Sequence, residues 1–166
     1  MARQAGEILL FKDEVQVCLH MESGASPWFD ARMGMPQLPR VSLLQLQAAL
    51  GASWDRHTAY QGAFQPGNPA LGQCYPTSRV VQWFFPCFDI VAGDVDTGSA
   101  IEAHFWNIDQ ATEPARHVDF TWQQFPETSQ VVGFRVLDRH GLGDSPRTLL
   151  RCRLLLQRVL VALGHG

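Results

Sequence analysis

One stretch constrains this chain more than any other: the turn Asn68-Pro69-Ala70-Leu71-Gly72-Gln73, then Cys74, then an apolar helix that Pro86 must stop. Pro76 suits a first helical turn, and Val80, Val81, Phe84 and Phe85 recur on one face from Tyr75 onward. Beyond Pro86 the pattern changes to strands. Cys87 to Val91 is predicted as one strand, closed by a turn at Gly93-Asp94. Ser99 to Ile108 and His117 to Trp122 follow, joined by a hairpin loop from Asp109 to Pro114. A last helix is expected from Pro146 to about Leu163, capped by Asp144 or Ser145. Its inner face carries Leu149, Cys152, Leu156, Val159 and Leu163, while Arg147, Arg151 and Arg158 lie mostly outside. Helix, then antiparallel strands, then helix is an α+β arrangement.

The rest of the chain is punctuated differently. Glu7 to His20 alternates like a hairpin, and Ser23 to Arg40 is a connector rich in Gly and Pro. Residues 1–40 therefore read as an N-terminal extension, a hairpin or a lid, and residues 41–166 as one domain. Ser42 should cap a helix running to about Gly51, with Leu43, Leu46, Ala49 and Leu50 on one face and Trp54 packing after it. Arg56 to Gln73 is a long loop, the kind of segment that positions chemistry.

Composition narrows the function classes. With 166 residues, 46% of them hydrophobic, the chain can bury a real core. A net charge of -3 offers no cationic surface to nucleic acid or to an anionic membrane, so neither partner is expected. No signal-peptide core and no spanning run is apparent, which points to a cytoplasmic protein. Cys18, Cys74, Cys87 and Cys152 form no C-x-x-C pair. Scattered thiols in a reducing compartment are mostly small buried hydrophobes, and the apolar surroundings of Cys87 and Cys152 suit inert thiols. No metal site and no cofactor is expected.

Cys74 differs from these in its neighbourhood. A thiol at a helix start, beside an imidazole, is favoured as thiolate, and a carboxylate behind the imidazole fixes the tautomer. If the hairpin loop is centred between residues 111 and 112, His104 faces Asp119 and Trp106 faces His117. That makes Cys74, His104 and Asp119 the candidate catalytic residues. The backbone N–H of Cys74 and an amide from Asn68 or Gln73 are the candidate oxyanion donors, with Asn68 preferred because a returning loop can bring it alongside. Trp54 and Trp106 are candidate substrate contacts.

Each of these residues has a plainer use. Cysteine in an apolar protein is commonly filler, His104 could be a satisfied core histidine, and Asp119 could cap a turn before Thr121. His57 is an alternative base but more naturally a loop residue. His117 shares a face with Asp119. Trp54, Trp106 and Trp122 suit a core as well as a substrate shelf. The spacing of Cys74, His104 and Asp119 matches no compact zinc pattern.

Taken as an ordered set, the residues resemble a known family. Ala52-Ser53-Trp54 with Thr58, Asn68-Pro69-x-x-Gly72-Gln73-Cys74-x-x-Thr77, His104-x-Trp106-Asn107, Val118-Asp119-x-Thr121 and Gln124-Phe125 resemble the YunG-like family of small bacterial proteins, from about Leu43 to Leu163. That family carries no assigned activity. More distantly, the Cys, His, Asp order is similar to the transglutaminase-like branch of the papain-like fold. Ala103 before the histidine and the long Asp109–Pro114 loop depart from that pattern. The distant resemblance implies a nucleophile helix packed on a small antiparallel sheet, with a C-terminal bracing helix. It also implies a cysteine hydrolase or acyltransferase acting on an amide, thioester or glutamine side chain, its partner a peptide, a protein or a small amide. A papain-like scaffold kept for binding, with residues 1–40 over the cleft, and a redox sensor at Cys74 are the other expectations.

Overall fold

The structure is a computed structural model that describes residues 39–165. The expected hairpin at Glu7–His20 and the extension or lid at 1–40 fall almost wholly outside those residues. Within them the chain is α+β: three α-helices and a four-stranded antiparallel sheet of order β3-β2-β1-β4. Helix α1 spans Leu43–Ser53. Ser42 caps it by accepting from the Gln45 N–H, and the Gln45 side chain returns the bond to the Ser42 N–H, a reciprocal capping box. Its Leu46, Ala49 and Leu50 are buried.

Helix α2, Cys74–Phe84, starts one residue earlier than the periodicity alone suggests, so Cys74 is its first residue. Helix α3 spans Pro146–Ala162. Its cap is Ser145, whose Oγ accepts from the Thr148 N–H at 3.2 Å, which leaves Asp144 for another partner. Leu155, fully buried, joins Cys152 and Val159 on the inner face, a position that the expected inner face omits. The main core lies between these helices and the sheet, and contains Leu46, Leu50, Trp54, Val80, Val81, Phe88, Val118, Phe120, Leu155 and Val159.

The sheet corrects the expected strands. Strand β1, Asp89–Asp96, runs straight through Gly93-Asp94. The turn comes later, where Gly98 adopts φ 79° and the Thr97 N–H bonds to the Ala100 carbonyl. Gly93 is in the strand for a steric reason: a Cβ there would lie 2.4 Å from Cη2 of Trp106 and 2.9 Å from the Gly133 carbonyl oxygen. Strand β2 spans Ile101–Asp109 and β3 only Arg116–Val118, shorter than the expected His117–Trp122. Strand β4, Gln130–Val136, was not anticipated at all. It is a mostly exposed edge that pairs with β1 through a register shift at Asp94/Val95, so its apolar alternation is weak.

The β2–β3 register also differs from the expected one. Asn107 lies opposite Val118 and Ile108 opposite His117, so the hairpin is centred one residue later and each partner moves by two. A shift of two keeps every side chain on its face, where a shift of one would have reversed them. Among the described residues no helix is long and apolar enough to cross a membrane.

The close approach at Gly93 gives a direct test. Gly93→Ala must push the Trp106 indole and the facing strand apart, and is expected to destabilise the fold by about 1–3 kcal/mol. Urea unfolding measures this; an unchanged midpoint would contradict the packing of Trp106 over Gly93.

Candidate functional site

The site forms where β3 ends. Among the described residues no strand covers the edge of β2 beyond Val118; the chain turns there through Asp119–Phe125, and the first turn of α2 reaches the same place. His104, on β2, is fully buried at that edge. Its Nε2 lies 2.6 Å from Oδ2 of Asp119. Cys74, at the start of α2, comes near enough to the same ring to favour its charged form, as Asp119 does. The structure therefore brings Cys74, His104 and Asp119 together although the register is not the expected one. His104 and Asp119 meet diagonally across the end of the ladder, because the even displacement preserved the face.

Asp119 does two things at once. Its Oδ1 accepts from the N–H and the hydroxyl of Thr121, at 2.8 and 3.0 Å, while Oδ2 holds His104. The turn-capping use and the imidazole-orienting use are thus not alternatives; they occupy different oxygens. Burial disfavours a charged His104, but its hydrogen bond to the Asp119 carboxylate and the nearby Cys74 sulfur outweigh it and raise the ring to about 9. Aromatic side chains enclose the imidazole. Trp106 stacks on it at 5.7 Å, and the edges of Phe125 and Trp122 approach at 4.8 and 6.0 Å.

Cys74 is half-buried and a free thiol. Cys152 is also free but sealed, and burial pushes it up to about 12. Cys87, expected as an inert free thiol, is instead disulfide-bonded. At the start of α2 the N–H groups of Cys74 and Tyr75 have no intrahelical acceptor, and Pro76 has no N–H to offer. Two bonds hold this helix end in place. Tyr75 donates its hydroxyl to Asp144, and Arg79 forms a buried ion pair with the other Asp144 oxygen at 3.1 Å. Burial and the Asp144 carboxylate push the Tyr75 hydroxyl well above its ordinary range. Farther along α2, the Asn107 amide donates to the Ser78 carbonyl at 3.0 Å, tying the helix to β2.

The other candidates take clear positions. Gln73 is fully buried and its amide donates to the Asp55 carbonyl at 2.8 Å. Asn68 donates to the Gln124 carbonyl at 2.9 Å, which joins the loop before α2 to the turn beneath His104. Each amide NH2 keeps a second hydrogen, and each amide oxygen is buried without a hydrogen-bond partner. Trp54 belongs to the core, 7% exposed, with its indole N–H on the Thr77 hydroxyl at 3.0 Å. Trp106 is walled in as well, its N–H donating to Nδ1 of His117 at 2.8 Å. Burial lowers His117, in keeping with that acceptor role. His57 is exposed on its loop and pairs with Arg56.

Two features of the site escaped the sequence reading. Gln124 places its amide nitrogen 3.2 Å from Nδ1 of His104, and Asp144 anchors the start of α2. The adjacency Gln124-Phe125 was visible in the ordered motif but gave no hint of direction. Asp144 stood as a rival cap for α3, and only the choice of Ser145 released it.

Among the described residues no group of three or more His, Cys, Asp or Glu is placed to hold a metal ion. No curated protein and no solved structure matches the chain. The family model described as YunG protein matches residues 42–164, from the cap of α1 to the end of α3, and so takes in every residue of the site. The chain belongs to the YunG family.

Proposed function

We propose that the protein is a cysteine hydrolase or acyltransferase with a papain-like arrangement, acting on an amide, a thioester or a glutamine side chain. What supports this is one arrangement: a half-buried thiol at the start of a helix lies near a buried imidazole whose Nε2 is held by a carboxylate. Cys74 is the nucleophile, His104 the base and then the acid, and Asp119 the group that orients it.

The chemistry follows from those roles. His104 takes the thiol proton as Sγ attacks the carbonyl carbon; an S–C bond forms and the carbonyl π pair moves onto oxygen. The Cys74 N–H meets that oxyanion, and the remaining hydrogen of the Asn68 amide is the preferred second donor over the deeper Gln73. Collapse breaks the bond to the leaving group, which carries away the proton held by His104. Water or an amine, deprotonated by His104, then releases the acyl group from the thioester. The acceptor decides between hydrolase and acyltransferase. No cofactor enters any step.

A second reading has its own observation. His104 is fully buried, as a satisfied core histidine would be, and this favours a papain-like scaffold kept for binding rather than catalysis. The reactivity of Cys74 separates the two. At pH 7 iodoacetamide is expected to alkylate Cys74 at least about tenfold faster in the wild type than in His104→Ala, whose profile should follow an ordinary thiol of pKa near 8.5. Cys152, sealed in the core, stays silent in this measurement. Superimposable profiles for the two proteins would leave only the binding scaffold.

The carboxylate has a separate signature. Asp119→Asn keeps an oxygen for the Thr121 turn but favours the wrong ring tautomer. It is expected to slow acylation by an electrophilic acyl probe by about 10²–10⁴ while the far-ultraviolet circular dichroism is unchanged. Full acylation in a folded Asp119→Asn protein would remove Asp119 from the mechanism.

A further inference from the structure

We propose that Gln124 is a positioning residue that opposes the charged form of His104, its amide favouring the neutral tautomer that carries the proton on Nε2. The orientation of that amide is fixed by a neighbour. Its nitrogen lies 3.1 Å from the Thr121 carbonyl oxygen, which can only accept, so the NH2 side faces the turn. One hydrogen goes to that carbonyl. The other points to Nδ1 of His104, 3.2 Å from the nitrogen. A donor there requires a lone pair on Nδ1, and a doubly protonated ring would set N–H against N–H.

Asp119 makes no such distinction. It accepts from Nε2–H whether the ring is neutral or charged. Gln124 therefore selects between the two states, opposing the upward pull of the carboxylate. With Nε2 committed to Asp119, Nδ1 is the nitrogen left to take the Cys74 proton, and the amide already occupies it. The amide cannot drift away easily. The Asn68 side chain holds the Gln124 carbonyl at 2.9 Å, and Phe125 lies edge-on against the imidazole.

Among the described residues the titratable groups facing the ring are few. Cys74 comes from α2 and Asp119 from the turn after β3, and His117 contacts the other side of the Trp106 indole. The position opposite on β1 is Gly93, and Gly93 in turn lies opposite Phe134 on β4; neither is charged. In consequence Gln124 limits how much of the thiol–imidazole pair is ionised before substrate arrives, an inference that rests on the proposed acyl chemistry.

Two readouts on the full chain test it. In the wild type, ¹⁵N chemical shifts of the His104 ring above its titration should show the remaining proton on Nε2; a proton on Nδ1 would overturn the proposal without any variant. In Gln124→Met, which keeps the length but loses both donors, His104 should hold its second proton to higher pH. Iodoacetamide should then label Cys74 at pH 7 on the order of fivefold faster. Gln124→Glu, which offers an acceptor, should go further in the same direction. If Gln124→Met leaves the titration and the rate unchanged while His104→Ala still slows labelling, Gln124 has no such role although the acyl chemistry stands. If His104→Ala also changes nothing, it is the acyl chemistry that fails.

Discussion

The contact between Nε2 of His104 and Oδ2 of Asp119, at 2.6 Å, is the constraint on which the rest of the site depends. An imidazole with no exposed surface and a carboxylate whose side chain is 4% exposed are costly to bury apart, because each would lose its hydration without a partner. Together they satisfy one another. The second carboxylate oxygen then closes the turn at Thr121, so the chain leaves the sheet in a single direction. That direction brings Gln124 and Phe125 to the open ring nitrogen and the ring edge, and Asn68 clamps the turn from the other side.

The thiol reaches this point through a separate set of contacts. Helix α2 is anchored at its first turn by Tyr75 and Arg79 on Asp144, and farther along by Asn107 on Ser78. A buried carboxylate shared by a phenol and a guanidinium is directional as well as charged. It fixes the depth and rotation of the helix end, and with them the approach of Cys74 to His104. The same residues tie α3 to the site, since Asp144 immediately precedes the cap of that helix.

How much of this was legible depended on how local each cause is. Helices α1, α2 and α3 followed from periodicity and caps, because Ser42, Pro76, Pro86 and Pro146 act on their own neighbours. The family was legible in the ordered motif, and its model now covers residues 42–164. Gly93 misled, since glycine commonly marks a turn but here makes room for an indole from the next strand. Strand β4 was lost because an exposed edge has little pattern to read. The meeting of His104 with Asp119 came out of a register wrong by two, and it holds because face parity is the robust quantity in a hairpin. Amide direction at Asn68 and Gln73 had no sequence signal, for it is set by carbonyls far along the chain, and at Gln124 it is set by the fold of the turn back to Thr121.

The central claim is spatial: the sulfur, the imidazole and the carboxyl act as one unit at the start of α2. A crystal structure of the protein after reaction with an electrophilic acyl probe tests it most directly. The expected result is a single adduct on Sγ of Cys74, with Nδ1 of His104 facing the acylated sulfur and Asp119 still on Nε2. An adduct on another side chain, or a His104 ring turned away from the modified sulfur, would contradict it.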